Sequence, residues 1–188
     1  MKKHEIVGYN RANLGKTESK ALRAEGYVPG VLYGGKTQVH FYAPAILFRQ
    51  LLTSPEAYQV TLNIEGDEYV AILQDTQFHP VNDQLLHADF LEIVEGKDIK
   101  VEVPVRFIGT APGVQKGGKL IQKLRKLKLR GPADRIPDFV DVNVADLDLG
   151  KTVKVGAVKL EGIEILDGPL LPIATIEIPR SMRGKTAA

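Results

Sequence analysis

Two groups of side chains have the types and spacing to do chemistry. The first is Arg11, Gly15, Lys16, Ser19, Lys20 and Arg23, followed by Tyr33 at the end of the next apolar run. Long cations on an exposed loop and helix suit phosphate contacts, and a tyrosine can stack or hydrogen-bond. The plainer alternative is a solvated basic helix face. The second group is Gln74-Asp75-Thr76-Gln77-Phe78-His79-Pro80, followed by Leu86-His87-Ala88-Asp89-Phe90. Strand periodicity puts Asp75, Gln77 and His79 on one face and Thr76 and Phe78 on the other. In the next strand His87 and Asp89 share a face, which leaves Ala88 and Phe90 for the core. If these strands pair as a hairpin around His79–Leu85, both polar sets lie on one outer surface. Gln, His and Asp there offer donors and acceptors suited to the shallow minor groove of RNA, with its base edges and 2′-hydroxyls. An ordinary hairpin with satisfied surface groups is the competing explanation.

Catalysis has weaker support. His79, His87, Asp75, Asp83 and Asp89 invite a metal or hydrolase reading, but no tight ligand motif such as H-E-x-x-H is present. Ser19, His87 and Asp89 make a triad only on paper, because no G-x-S-x-G elbow supports it. Gly113-Val114-Gln115-Lys116-Gly117-Gly118-Lys119 matches G-x-x-x-x-G-K, yet Leu120 stands where a magnesium-ligating Ser or Thr belongs. Gly15-Lys16-Thr17 supplies G-K-T, but Gly8 is two residues too far away. No catalytic residue, metal or cofactor is expected.

These residues need elements to position them, and the pattern is mostly strand. A short strand begins at Ile6, and Val28–Tyr33 reads as another. Val60, Leu62 and Ile64 alternate with polar neighbours, then Gly66-Asp67 turns into Tyr69–Leu73, a hairpin signature. Leu86–Ile93 is a further strand. In Lys100–Phe107, Val101, Val103, Val105 and Phe107 point one way, and Pro104 suggests an edge position. One helix follows Gly15-Lys16, with Thr17 as N-cap and Gly26 as C′ residue, placing Lys16, Lys20 and Arg23 on one face and leaving Leu22 to anchor it. A second, Ala45–Leu52, follows Pro44 with Ile46, Leu47, Leu51 and Leu52 on an inward stripe. Between Lys119 and Arg130 helical and strand spacings compete, and strand character is favoured for the second half.

Charge is segregated although the net value is only +2. Residues 1–36 carry seven Lys or Arg against three Glu, and residues 37–95 carry one Arg against nine acids. Residues 96–188 carry seventeen basic against eleven acidic side chains. Polyanion binding depends on local positive charge, which directs attention to the first 36 residues. The change of sign near Val94-Glu95-Gly96-Lys97 marks a boundary. The expected domains are 1–95 and 96–180, with a disordered tail over 181–188. The chain has no cysteine, so disulfides and thiolate metal sites are excluded. No signal peptide or membrane span is visible.

Taken together, Arg11-x₃-Gly15-Lys16-x₂-Ser19-Lys20-x-Leu22-Arg23-x₂-Gly26-x-Val28-Pro29-Gly30-Val31-Leu32-Tyr33-Gly34 resembles the opening of the bacterial ribosomal protein L-twenty-five family. Gln74-Asp75-x-Gln77-x-His79-Pro80, then His87-x-Asp89-Phe90, resembles its second signature. The length resembles the long two-domain form, similar to the general stress protein Ctc, with Gly117-Gly118-x-Leu120, Ile136-Pro137 and Asp141-Val142-x-Val144-x-x-Leu147-x-x-Gly150 matching its C-terminal domain.

The resemblance implies a mainly β chain with a few short helices. A six-stranded N-terminal β-barrel, similar to the anticodon-binding domain of glutaminyl-tRNA synthetase, would be followed by an all-β domain. It implies a structural constituent of the large ribosomal subunit, cytoplasmic and on the ribosome. The protein would bind the loop E region of 5S rRNA from its minor-groove side, neighbour large-subunit rRNA and ribosomal proteins, and be a monomer off the ribosome. Carried over by position, the contacts are Arg11, Lys16, Ser19, Lys20, Arg23, Tyr33, Gln77, His79, His87 and Asp89. Lys20 stands where the family usually has Arg, which keeps the charge and loses the planar fork. Gly30, where many members have Ala, is conformationally permissive and puts nothing in doubt. The carboxylate of Asp89 is expected either to accept hydrogen bonds from guanine amino groups or 2′-hydroxyls, or to orient His87. The alternative function is a ribosome-associated stress or accessory factor acting through protein contacts of the C-terminal domain.

Overall fold

Alternation of apolar and polar side chains lays down most of the chain as strand, and a computed structural model describes residues 1–94 and 96–179. The tail expected to be disordered, 181–188, lies outside the described residues. The chain divides into two units, Met1–Val101 and Glu102–Ala188.

The first unit runs β1 (Lys2–Asn10), α1 (Lys16–Ala24), β2 (Tyr27–Tyr33), β3 (Val39–Pro44), α2 (Ala45–Thr53), β4 (Tyr58–Ile64), β5 (Asp67–Phe78) and β6 (Leu85–Glu92). Its strands close into a barrel in the order β1-β3-β2-β6-β5-β4. Closure needs two parallel pairings between strands far apart in sequence. Lys2–Gly8 runs beside Tyr58–Ile64, and Gly30–Tyr33 beside Ala88–Leu91. Inward positions fill the interior, with Ile6, Leu32, Phe41, Phe48, Val60, Leu62, Ala88 and Phe90 fully buried. Each large member contributes about 1.5–3 kcal/mol. The Phe90 ring lies 5.8 Å from Phe41 and 6.2 Å from Phe48.

Several expectations shift in detail. The β4–β5 hairpin pairs Ile64 with Asp67, so its two-residue loop is Glu65-Gly66 rather than Gly66-Asp67. Both loop residues have positive φ, 54° and 104°, as a type I′ turn requires. In α2 the buried residues are Phe48 and Leu51, while Ile46 is 67% exposed. The helix is therefore rotated so that the larger aromatic ring enters the core. At α1 the N-cap is Gly15, not Thr17, and Gly26 takes the C′ position with φ +85°. Gly30 is closely surrounded. A Cβ there would stand 2.8 Å from the Phe41 ring and 2.9 Å from the Ala88 carbonyl oxygen, inside the contact limit for carbon.

The second unit is built from β7 (Asp98–Ile108, which spans the division), α3 (Pro112–Gln115), β8 (Lys119–Gln122), β9 (Lys126–Pro132), β10 (Val140–Asn143), β11 (Thr152–Lys154), β12 (Glu164–Ile165) and β13 (Pro172–Glu177). These strands form a four-stranded sheet, β10-β7-β9-β12, and a three-stranded sheet, β11-β13-β8. Both halves of the ambiguous 119–130 segment are strand. Pro104 is not on an edge, since β7 lies between β10 and β9. The N–H of Val105 donates to Arg125 O on the β9 side, and the β10 ladder starts only at Val105. The missing N–H of Pro104 thus falls just outside that ladder. The glycines that imitate a phosphate loop serve packing instead. A Cβ on Gly118 would meet Ile176 at 2.5 Å and the Gly113 carbonyl at 2.6 Å.

Candidate nucleic-acid interface

Strands β2, β6 and β5 are neighbours in the barrel wall, and their outward positions form one surface. Val31 pairs with Asp89, Asp89 with Asp75, and His87 with Gln77. Because Leu32, Ala88 and Phe90 point inward and are fully buried, the alternate residues Tyr33, His87, Asp89, Asp75 and Gln77 must face out. The fully apolar interior of the barrel is what holds this polar row in place.

His87 and Asp89, two residues apart on one strand, are bonded to each other, with Nδ1 2.6 Å from Oδ1. Each side chain is about 30% exposed, 28% for His87 and 31% for Asp89. Asp75 accepts the Thr76 N–H at 2.8 Å. The Tyr33 phenol has its pKa raised, chiefly by burial and then by the carboxylates of Asp89 and Asp75, which oppose a phenolate. The exposed side chain of Gln77 has no hydrogen-bond partner among the described residues.

His79 does not continue this row. The register breaks between Gln77 and Phe78, and His79 enters the hairpin turn, where its N–H donates to Gln84 O at 2.8 Å. Its ring Nδ1 accepts the Val81 N–H at 3.3 Å. The break also leaves Phe78 46% exposed rather than in the core.

Helix α1 packs along β2 and presents its charges unevenly. Lys16, Thr17, Lys20, Ala21 and Ala24 are exposed, whereas Glu18, Ser19, Leu22 and Arg23 are half-buried. Arg23 therefore does not share the open face of Lys16 and Lys20, as its spacing suggested. Its Nε donates to Leu86 O at 2.9 Å, and Gln84 Nε2 donates to Arg23 O at 3.3 Å. These two bonds tie the end of the helix to the start of β6, directly before His87. Sequence reasoning missed Gln84, which only the pairing of the hairpin could have pointed to.

Arg11 and Ser19 are likewise engaged with the protein. Arg11 Nη2 donates to Ser19 Oγ at 2.9 Å and to Gly15 O at 3.1 Å, and Ser19 Oγ donates to Gly15 O at 2.8 Å. These bonds hold the loop that starts α1, and they leave Ser19 hydrogen-bonded elsewhere than to His87. The side chains of Lys16 and Lys20 have no ion-pair or hydrogen-bond partner among the described residues. Of the four cations on this loop and helix, these two have the side chains left open to a ligand. Among the described residues no group of three or more His, Asp or Glu is arranged to hold a metal ion, and no helix is long and apolar enough to cross a membrane.

A closed barrel carrying a cation-bearing helix beside a polar strand surface agrees with what comparison of the chain finds. Residues 6–90 match the model of the Ribosomal L25p family, and residues 98–180 match that of the Ribosomal protein TL5, C-terminal domain. The chain is 49% identical over 187 residues to the large ribosomal subunit protein bL25 of Amoebophilus asiaticus, covering all of this chain and 95% of that protein. It is 46% identical over 188 residues to the bL25 of Cytophaga hutchinsonii, covering all of this chain and 98% of that one. The bL25 of Bacteroides fragilis is 46% identical over 169 residues, 90% of this chain and 86% of that one. The chain belongs to the ribosomal L25p family, in its long two-domain form.

Proposed function

We propose that this protein is a structural constituent of the large ribosomal subunit in the cytoplasm, binding 5S rRNA through its barrel unit, and that it is not an enzyme. The barrel addresses the loop E region from the minor-groove side. Lys16 and Lys20 clamp phosphates, with the remaining N–H groups of Arg11 and Arg23 beside them. Gln77, His79, His87 and Asp89 meet groove edges, and Tyr33 supports that surface. Neighbouring large-subunit rRNA and ribosomal proteins complete its surroundings, and off the ribosome it is a monomer.

The observation that supports this most is the double tie Arg23–Leu86 and Gln84–Arg23, which joins the helix bearing two unpartnered lysines to the strand bearing His87 and Asp89. Phosphate contact and groove contact thereby become one rigid surface. A gel-shift titration of the full chain against 5S rRNA and an unrelated structured RNA of equal length tests it. Tight binding to 5S rRNA with at least a tenfold preference is expected, and equal affinity for both RNAs refutes it.

A second reading concerns the other unit. Leu166, Leu170 and Leu171 are 40%, 77% and 44% exposed on one loop segment, which favours protein contact there as a ribosome-associated accessory activity.

A further inference from the structure

Outward positions of a half-buried strand are ordinarily polar, and the end of β1 breaks that habit. Ile6 and Gly8 are buried, so Glu5, Val7 and Tyr9 alternate onto the outer face of the barrel. Val7 is 47% and Tyr9 46% exposed. Tyr9 pairs across the ladder with Tyr42 of β3, and their ring centroids lie 5.5 Å apart with planes at 31°. Tyr27 of β2 meets Tyr42 edge-on at 5.5 Å. Apolar surface thus extends over three strands. None of the three phenol groups has a hydrogen-bond partner among the described residues.

The rim of this patch is acidic. Glu5 shares the outer face with Val7, two residues before it. Glu65, in the β4–β5 turn, accepts the N–H of Asn10 at 3.1 Å, which fixes its carboxylate close to Tyr9. Glu68 of β5 lies opposite Asn63, which itself pairs with Val7. The exposed side chains of Glu5 and Glu68 have no ion-pair partner among the described residues. Arg11, the first cation after Tyr9, is drawn away to Ser19 and Gly15, and Lys3 stands at the other end of the strand. Around the barrel, β1 is three strands from β6 in either direction. The patch therefore occupies the wall opposite His87 and Asp89.

We propose that this patch is a protein docking surface, and that its occupant is an arginine- or lysine-bearing segment of a neighbouring protein of the large subunit. The proposal rests on the chain's place in that subunit, not on how the opposite wall meets RNA.

The chemistry selects that occupant. Glu5, Glu65 and Glu68 repel phosphates, and bases stacked on rings need a cationic track beside them, which this rim does not offer. A guanidinium suits both features at once, lying over the exposed Tyr9 ring while it forks to a carboxylate. Proteins that sit among rRNA carry such cations, because a polyanion demands counter-charge. Single exposed apolar side chains need no explanation, but three tyrosines and a valine in one charged-rimmed patch mark an interface.

Photocrosslinking in the assembled subunit is the first test. Val7 points outward, so p-benzoylphenylalanine can replace it in the full chain. After assembly into large subunits and irradiation, mass spectrometry identifies what is attached. The expected product joins position 7 to another subunit protein, with an arginine or lysine beside the attachment point. Attachment to rRNA, to a second copy of this chain or to a segment without a cation overturns the proposal, as does the absence of any product.

Competition is the second. Each variant is offered together with the native chain to large subunits reconstituted without this protein, and is titrated separately with isolated 5S rRNA. Tyr9→Ala is expected to weaken uptake by the subunit about tenfold, the usual scale for truncating an aromatic anchor. Glu68→Lys should weaken uptake as well, and both should bind isolated 5S rRNA at least as tightly as the native chain. Native-like uptake of either variant overturns the docking surface. A matching loss of 5S rRNA affinity in Tyr9→Ala moves Tyr9 to the RNA surface and overturns it too. Failure of the native chain to bind 5S rRNA instead removes the functional reading above, and the crosslink still decides this one. Thermal melts check that both variants fold, and exposed Glu68→Lys carries the comparison should Tyr9→Ala melt early.

Discussion

Asp75 and Asp89 are cross-strand partners on the outer face of β5 and β6, two carboxylates side by side next to the Tyr33 phenol. Like charges directly opposite each other in a sheet are mutually destabilising. This arrangement is a local weakness, and it also accounts for the raised pKa of Tyr33, after burial.

Alkaline titration should expose that weakness. The folded chain holds the Tyr33 proton more tightly than the unfolded chain does. The corresponding stability is intact below the ordinary phenol value near 10 and is lost as pH rises through the higher folded value. Asp75→Asn removes one carboxylate and keeps an oxygen for the Thr76 N–H. It should raise stability at neutral pH by about 0.2–1 kcal/mol and bring the Tyr33 titration, followed by ultraviolet absorbance, closer to its ordinary value. A Tyr33 titration unmoved by Asp75→Asn means that burial alone sets it.

Gly30 and Phe41 make a second coupled pair. Gly30→Ala should destabilise the barrel by about 1–3 kcal/mol, a usual cost of overpacking, because the new methyl meets the Phe41 ring. Combined with Phe41→Leu, the methyl still faces the Ala88 carbonyl but no longer the ring. The double variant should therefore be less destabilised than the sum of the two single changes. Urea denaturation of all four proteins measures the coupling, and additive losses exclude the ring as the obstacle.

Much of this fold was legible in the residues, and the gaps have physical causes. Period-two alternation located β2, β4, β5, β6 and β7 because one face of each is buried, and that same parity brought Asp75, Gln77, His87 and Asp89 onto one surface. Barrel closure was not legible through periodicity, since the β1–β4 and β2–β6 pairings join segments that share no turn. It came through the resemblance instead. Helical spacing put Arg23 with Lys16 and Lys20, but a long guanidinium on the flank of α1 found a carbonyl at Leu86 and turned inward. His79 escaped for a related reason, because a register break after Gln77 ends the alternation from which its position was inferred.

Arg11 is expected to act on the fold more than on the ligand. Its Nη2 joins Ser19 Oγ and Gly15 O, so Arg11→Ala removes two charge-assisted bonds at the start of α1. A loss of about 1–3 kcal/mol is expected, together with faster hydrogen exchange at the Ser19 amide, which otherwise bonds to Gly15 O. Ser19→Ala should cost less, since Arg11 keeps the Gly15 carbonyl. Unchanged exchange in Arg11→Ala excludes this bracing role.

Electrostatic contact and geometric tethering predict different salt behaviour, which separates Lys16 and Lys20 from Arg23 and Gln84. A lysine that neutralises a phosphate releases a counterion, so Lys16→Ala and Lys20→Ala should each flatten the slope of log affinity against log salt by about 0.7–0.9. Lys20→Arg should leave the slope unchanged and strengthen binding, because a guanidinium can grip phosphate oxygens in pairs. Gln84→Ala carries no charge change. It removes one of the two bonds between α1 and the start of β6, and it should lower affinity for 5S rRNA at every salt concentration by a constant factor, about threefold to tenfold for one lost bond of ordinary strength. If Gln84→Ala binds like the native chain, the helix and the hairpin do not need to be joined, and the single rigid surface on which the functional reading depends is not how this protein holds its RNA.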